Sequence, residues 1–515
     1  MGYLEDRDFS DVPTIPEYFK DKTIFITGGT GFIGKVLIEK LLYSCTDLKR
    51  IYLLLRPKKG VSPHERLDQM YSIECFDRLR KEKPDVFKSK VQVICGDVMD
   101  DELGLSDSDK ALLISKVNIV FHVAASVRFD DPLKYAVKLN LCGTIKVMEL
   151  AKNIENLSSV VHVSTSYSNS HRDPIEEVMY PPLGNWRELI DIVHKVDDHT
   201  LRVLTSKILG EIPNTYTFTK QLAEHAVYEL RGTLPVVIYR PSIVISSVNE
   251  PVPGWIDNFN GPVSLIVASA AGIMRSIHTD HTIKPDYIPV DMSVQGLIAA
   301  AWIRGTKKLG PTDDIEIYNC CAGNLNGISL GEMIEVGRDL VNEYPMEKAI
   351  WYRGGGITAC KYYHYLMVYF CQLLPGILID SILMLIGKKP MLVKIQRRIL
   401  NATQALQYFV KQQWTFCNMN FVALRSSLKE KDKEHFYYNL EGVEPLSFLK
   451  TAGIGAKWFL LKEKMEDLPK AKAWNQKLKI LDIFVKIIFY SCCLWWFINL
   501  VITKTFGGNL YDFIF

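Results

Sequence analysis

None of the chain's 11 cysteines pairs as C-x-x-C, and no Cys/His run has metal-ligand spacing, so neither a zinc module nor a disulfide scaffold is encoded. Scattered thiols suit a reducing compartment, and Cys45, Cys75, Cys95 and Cys142 read as small core residues. Charge of one sign is also missing. Lys+Arg 61 against Asp+Glu 58 leaves a formal net charge of +3, without the basic footprint that nucleic-acid binding leaves. The opening residues MGYLEDRDFSD are acidic and no apolar run follows them, so no secretory signal peptide is read there. Asp6 stands where a myristoylation pattern on Gly2 wants Ser or Thr. No fixed-period repeat or low-complexity segment appears, which excludes solenoids and propellers.

What is present is 515 residues of ordinary globular composition, 48% hydrophobic and 23% charged. That length corresponds to two to four domains at about 100–200 residues each. Short continuous apolar runs at residues 23–26, 50–55, 91–95, 119–123, 160–164 and 236–239 alternate with helix-like stretches. Continuous rather than alternating runs are the mark of parallel strands covered on both faces. The expected fold class is therefore α/β, a Rossmann-type doubly wound parallel sheet over residues 15–240. Beyond Arg240, Pro- and Gly-rich stretches such as EPVPGWIDNFNGP predict a smaller substrate lobe over 241–350, placed at the carboxyl edge of the sheet where ligands bind. A composition shift at WYRGGG opens a helical C-terminal domain, 351–460.

Two long apolar stretches follow. Residues 487–502 carry no charge, and 480–502 only Asp482 and Lys486, close to the about 20 residues that span a bilayer. Lys470, Lys472, Lys477 and Lys479 precede this stretch and Lys504 alone follows it, which predicts a membrane anchor at 480–503 with the body in the cytosol. The alternative is a buried amphipathic helix. Cys492 and Cys493 read as lipid-buried, with acylation the alternative. The earlier stretch, 365–386, holds one charge, Asp380, and is interrupted by Pro375-Gly376. It is read as a re-entrant bend, a surface hairpin or two core helices lining an apolar tunnel, not as a span. Lys388, Lys389, Lys394, Arg397 and Arg398 beside it suit anionic headgroups or a solvated helix face.

The chemistry-bearing motifs lie in the first half. TIFITGGTGFIGKVLIEKLL places Gly28, Gly31 and Gly34 as G-x-x-G-x-x-G between a strand and a helix, the dinucleotide-binding arrangement. The three glycines respectively permit the turn, the approach of pyrophosphate and close helix–strand packing, while the helix N-terminus faces the phosphates. At the end of the second strand Arg56 stands where NAD enzymes place a carboxylate, with Lys58 and Lys59 just after. A guanidinium holds a 2′-phosphate that a carboxylate would repel, so NADP(H) is favoured over a site that takes either nucleotide. Asp97, after the third strand, accepts from the adenine amino group or caps a helix. Ala124 and Ala125 are small where the cofactor passes the backbone.

Tyr216 and Lys220 form Y-x-x-x-K, one face of a helix. A nearby lysine charge is expected to draw the phenol's pKa down from about 10 toward neutrality. Ser164, Thr165 and Ser166 end the fifth strand, where a hydroxyl can orient a substrate carbonyl. Strand alternation turns only some of the three into the cleft.

Ser/Thr–Tyr–Lys after such a loop resembles the extended short-chain dehydrogenase/reductases. GGTGFIGKVLIEKLL, AASVRFDDPL, HVSTSYSNS, YTFTKQLAE, RPSIVISS and EPVPGWIDNFNGP together resemble the alcohol-forming fatty acyl-CoA reductases, from about residue 15 to about 460. Gly29 departs from the alanine frequent in that family, and the tail after 480 diverges. The resemblance implies Thr165, Tyr216 and Lys220 as catalytic residues. It implies NADPH held by Gly28, Thr30, Gly31, Phe32, Ile33, Gly34, Arg56, Asp97, Val98, Ala124, Ala125 and Pro241. The implied reaction is two-step reduction of a long-chain or very-long-chain acyl-CoA to a primary alcohol through a bound aldehyde, with membrane lipid as partner and no metal. A peroxisomal or endoplasmic reticulum membrane is the implied location, although Phe513-Ile514-Phe515 is not an S-K-L type address. Dimers through sheet-flanking helices are common for this architecture, and the oligomeric state stays open. A membrane-bound extended reductase of sterols or nucleotide sugars and a non-catalytic NADP(H)-binding scaffold are the competing readings.

Overall fold

The computed structural model describes residues 12–260, 262–306, 314–323 and 327–506. Gly2, Asp6 and the C-terminal tripeptide lie outside the described residues, as does the side chain of Lys504. The six apolar runs form strands β1 (Thr23–Thr27), β2 (Arg50–Leu55), β3 (Val91–Cys95), β4 (Ile119–His122), β5 (Ser159–Val163) and β6 (Val236–Pro241). Further strands are β7 (Ile243–Ile245), β8 (Ser276–His278), β9 (Tyr287–Pro289), β10 (Glu316–Cys320) and β11 (Gly356–Thr358). The main sheet runs β10-β6-β5-β4-β1-β2-β3 with every pairing parallel. Chain order reverses between β1 and β4, and a ligand crevice opens above such a reversal.

Alternation along the strands fills both faces. Ile24 and Ile26 of β1 join the apolar layer beneath α1 (Phe32–Ser44), whereas Phe25 points to the opposite layer. Helix α2 (Pro63–Tyr71) follows β2, started by Ser62, whose side chain accepts from the Glu65 amide in a capping box. The opposite layer holds α3 (Gly143–Asn153) and α4 (Thr215–Leu230), the latter started by Asn214 accepting from Thr217 N at 2.9 Å.

Residues 241–350 contain α5 (Pro262–Ala270), α7 (Leu330–Glu343), the pair β7–β9 and strand β8, which pairs with β11 from beyond that segment. The boundary expected at residue 240 is crossed by the sheet itself. Strand β10 pairs with β6, and α6 (Val290–Thr306) packs on β5 and β6 in the same layer as α1. The polar run EIYNC hides β10 from an apolar count, and within it the buried Asn319 Nδ2 donates to Cys417 O at 2.8 Å. Two cysteine readings are corrected as well. Cys45 and Cys75 are buried, but Cys95 is exposed at the end of edge strand β3 and Cys142 is only half-buried.

Pro375-Gly376 does not break its helix. Helix α8 (Lys361–Val368) passes through a π-helical stretch at Tyr369–Leu373 directly into α9 (Leu374–Leu385). The π turn accommodates the proline, whose ring and missing N–H would disrupt a regular ladder. Asp380, the one charge of that stretch, turns inward and accepts from Met391, Leu392 and Val393 amides at 2.8–3.0 Å, starting α10 (Leu392–Val410). Helix α11 (Met419–Ser426) lies against β10. The last element, α12 (Leu468–Phe506), begins well before residue 480 as one continuous helix. Its first half is docked: Trp474 Nε1 donates to Ala349 O, Leu478 is buried, and Asp482 accepts from Trp351 Nε1 at 2.6 Å. Beyond that point the described side chains are mostly exposed and apolar, Phe484, Phe489 and Trp496 among them. Both Lys361–Leu385 and Met465–Val501 are long and apolar enough to cross a membrane.

Two buried carboxylates tie these parts together. Arg240 donates to both oxygens of Glu224 on α4, at 3.0 and 2.7 Å, and to the carbonyls of Glu176 and Val178 at 3.1 Å. Between those carbonyls Glu177 accepts from the amides of Asn319, Asn420 and Phe421, fastening β10 to the start of α11. Glu177→Ala would leave three buried donors unpaired, so unfolding should become easier by about 3 kcal/mol or more, read by thermal melting. Burial pushes the Glu177 carboxyl up to about 7. The folded state then binds this proton more tightly than the unfolded chain, and its contribution to stability is lost as pH rises through about 7. Glu177→Gln should flatten that part of the melting-versus-pH curve.

Candidate active site

The glycine loop sits above the β1–β4 reversal. Gly28 has φ +76°, and a Cβ there would meet the Ala124 amide nitrogen at 2.5 Å. A Cβ on Gly34 would meet the Gly28 carbonyl oxygen at 2.4 Å, so only glycine lets α1 start this close to the strand. Gly31 is the N-cap of α1 and has no side chain to bond its first turn, so the Phe32, Ile33 and Gly34 amides are offered to an anion. Thr27 Oγ1 lies 2.7 Å from His122 Nδ1 and 3.4 Å from the Ala124 amide, locking β1 to β4 beneath the loop. Val123 to Ser126 border the crevice half-exposed, and buried Val98 packs against Gly143 at the start of α3.

Beyond the carboxyl ends of β2 and β3, Arg56 and Asp97 meet in an ion pair of 2.8 Å, and Asp97 also accepts from the Met99 amide at 3.1 Å. Asp97 therefore makes a local turn rather than a helix cap. A second guanidinium, which sequence reasoning missed, reaches the same place. Arg66 of α2 donates to Thr30 Oγ1 at 3.1 Å and to the Arg56 carbonyl at 2.6 Å. Nothing in VSPHER singles Arg66 out, because only the fold of α2 over the loop brings it there.

Thr165, Tyr216 and Lys220 converge at the carboxyl end of β5. The Thr165 hydroxyl shares a hydrogen bond with the Tyr216 phenol, accepts from the Tyr167 amide at 3.3 Å and donates to the Pro241 carbonyl at 3.4 Å. Ser166 is turned away, donating to the Arg240 carbonyl at 2.7 Å, and Ser164 Oγ is buried without a partner. Of the three hydroxyls, Thr165 is the one that meets the tyrosine.

The expected electrostatics of the pair is corrected. Buried Lys220 donates from Nζ to the Val163 carbonyl at 2.7 Å, and desolvation lowers its ammonium to about 8, with Glu224 opposing. Desolvation raises the Tyr216 phenol to about 12, against the Thr165 hydrogen bond. Removal from water is the dominant influence on the phenol, which stays protonated at neutral pH. Beneath it burial and Lys220 hold His122 and His162 uncharged.

Two motifs close over this crevice. Phe129 of AASVRF stacks on Tyr216 with ring centroids 5.9 Å apart and touches Phe409 at the end of α10 at 5.0 Å. Trp255 of PGWIDN stacks on Phe32 at 5.4 Å, and Asp257 pairs with Lys35 on α1. The buried amide of Asn140 bridges Ser126 O and Thr219 Oγ1, setting the 124–126 backbone against α4.

This glycine loop, parallel sheet and Thr–Tyr–Lys cluster define an NAD(P)-binding reductase of the extended short-chain type. The reductase domain of a nonribosomal peptide synthetase from Mycobacterium tuberculosis has the same fold, at TM-score 0.57 and 16% identity over 88% of this chain and 95% of that one. The terminal R domain of the myxalamid pathway superposes with TM-score 0.54 at 19% identity, covering 85% and 90%. A family model described as male sterility protein matches residues 26–297, and a second with the same description matches 371–463. Fatty acyl-CoA reductase 1 of Gallus gallus is 38% identical over 90% of both chains, and that of Homo sapiens 37% over the same shares. Fatty acyl-CoA reductase wat of Drosophila melanogaster is 34% identical over 96% of both. The chain belongs to the fatty acyl-CoA reductase family.

Gly28→Ala forces a side chain into the Ala124 backbone at a left-handed φ. It should lower the melting temperature and weaken dinucleotide binding by about 10-fold or more, read by cofactor titration.

Proposed function

We propose that this protein reduces long-chain or very-long-chain fatty acyl-CoA to the primary alcohol with NADPH, releasing CoA and passing through a bound aldehyde. The observation that carries this reading is the convergence of Thr165, Tyr216 and Lys220 at the carboxyl end of β5, with Lys220 Nζ fixed on the Val163 carbonyl and Phe129 stacked on Tyr216. The residues present fit the dinucleotide: an uncapped helix start, glycines that no side chain could replace, and guanidiniums where a 2′-phosphate would lie. Gly28, Thr30, Gly31 and the first turn of α1 would hold the pyrophosphate. Arg56 and Arg66 would hold the 2′-phosphate, with Lys58 and Lys59 adding charge, which is why NADPH is preferred to NADH. When bound, the cofactor supplies the hydride for each of the two reductions.

The chain's own groups do the rest. Tyr216, and Thr165 once its O–H turns from the Pro241 carbonyl, direct O–H donors at the substrate carbonyl oxygen and stabilise the negative charge that grows there. Expulsion of CoA from the tetrahedral thiohemiacetal gives the aldehyde. Tyr216 then protonates the aldehyde oxygen as general acid, and Lys220, with one N–H given to Val163 and others free, replaces the tyrosine's proton. Val98, Ala124, Ala125 and Pro241 would border the bound dinucleotide, with Val98 on the Asp97 side.

The same reading places the body on the cytosolic face of a peroxisomal or endoplasmic reticulum membrane. It is supported by the apolar exposed outer half of α12 and by exposed Lys388, Lys389, Lys394, Arg397 and Arg398 beside the exposed apolar side chains of α9.

Tyr216→Phe should cut kcat by about 100-fold while NADPH binding is kept; full activity in this variant would refute the proton-transfer step. Loss of the Lys220 proton should make activity fall above about pH 8, and Lys220→Arg, whose charge persists, should move that limb upward at reduced rate. Arg56→Glu should lower kcat/KM with NADPH by about 10-fold or more and spare NADH, whereas equal losses with both would argue against a 2′-phosphate site.

A further inference from the structure

A cavity lies away from the Tyr216 site. It encloses about 220 Å³ between α5, α7 and the β8–β11 pair, with a wall of Leu265, Ile277, Met333 and Ile357. One end is formed by Thr279 and Val410. Val410 follows Phe409, whose ring packs on Phe129, the ring stacked on Tyr216. The other end reaches Val341, which shares an apolar cluster with Leu478 of the anchor helix α12. Along α7, from Leu330 to Val341, the cavity extends about 16 Å at 1.5 Å per residue. Arg275, Arg338 and Arg353 line the end nearest α12, a cationic rim of the kind that anionic headgroups favour.

One residue of the wall is out of place by helix chemistry. Gly337 stands in the middle of α7, where glycine costs about 1 kcal/mol relative to alanine. Its φ is not left-handed, and a Cβ there would meet nothing within 4 Å. Neither backbone conformation nor a close neighbour requires glycine. What the missing side chain does is leave the cavity open along its side.

We propose that this cavity receives the hydrocarbon chain of the acyl substrate, leading from the aromatic wall beside Tyr216 toward the membrane anchor, and that Gly337 sets the length and width of chain admitted. The assignment rests on the reading of the protein as an acyl-CoA reductase. The apolar wall takes methylene groups out of water at about 0.8 kcal/mol each, so filling it penalises long chains more than short ones.

The test uses the full chain in detergent. Gly337→Phe should lower the kcat/KM ratio of hexadecanoyl-CoA to decanoyl-CoA by about 10-fold, since several methylenes lose their contact. Gly337→Ala should melt no lower than the parent, which shows that α7 tolerates a side chain. A hexadecanoyl-CoA carrying a diazirine at the chain end should label residues within 265–279 or 330–341. An unchanged ratio in a folded Gly337→Phe protein, or labelling confined to other segments, would overturn the assignment. Absence of NADPH-dependent product from either substrate with the parent protein would count against the reductase reading instead, and the labelling would still decide the cavity.

Discussion

Everything at the site hangs on the buried pairing of Arg240 with Glu224. Both side chains are removed from water, with 0% and 2% exposure, a position that is costly unless every hydrogen-bonding group is matched. Here Glu224 takes two bonds from the guanidinium and one from Ser168, and Arg240 gives two further bonds to the carbonyls of Glu176 and Val178. The pair joins α4 to β6. Tyr216 and Lys220 ride on α4, and Thr165 lies at the end of β5 next to β6, so one interaction sets the helix face against the strand end. The two carbonyls on either side of Glu177 hold its carboxylate over β10 and the start of α11, extending the same brace into the C-terminal region.

Burial then decides the charges. With Lys220 1% exposed, desolvation lowers its ammonium, while the neighbouring phenol is held in its protonated form. A protonated tyrosine backed by a lysine titrating near 8 is suited to giving a proton to a carbonyl oxygen at neutral pH. Burial acts the same way on Cys45, Cys75, Cys320 and Cys321, whose thiols are pushed up by desolvation.

The central strands were legible because each is a continuous apolar run whose period does not depend on the rest of the molecule, and the structure moves their ends by a residue or two. Strand β10 was not, since it carries buried Glu316 and Asn319, and the partners of Asn319, Glu177 and Cys417, lie far along the chain. Pro375 marked a break that the π turn absorbs, and Asp380 marked a charge whose purpose is three amides on the following helix. At the site, the i, i+4 spacing sufficed to put Tyr216 and Lys220 on one face. Their proton affinities were not legible, because they follow from how completely the sheet, α4 and the 166–185 segment exclude water. Arg66 was missed for the same reason: its place beside Arg56 is a property of the fold over α2, not of any local pattern.

The most direct measurement is product analysis after incubating the membrane-bound protein with NADPH and saturated acyl-CoAs of graded length. Primary alcohol, with two NADPH consumed for each CoA released, is the expected result. Aldehyde as the final product would contradict the second reduction at Tyr216. No product from any acyl-CoA, with NADPH still bound, would contradict the assignment of acyl-CoA reduction altogether.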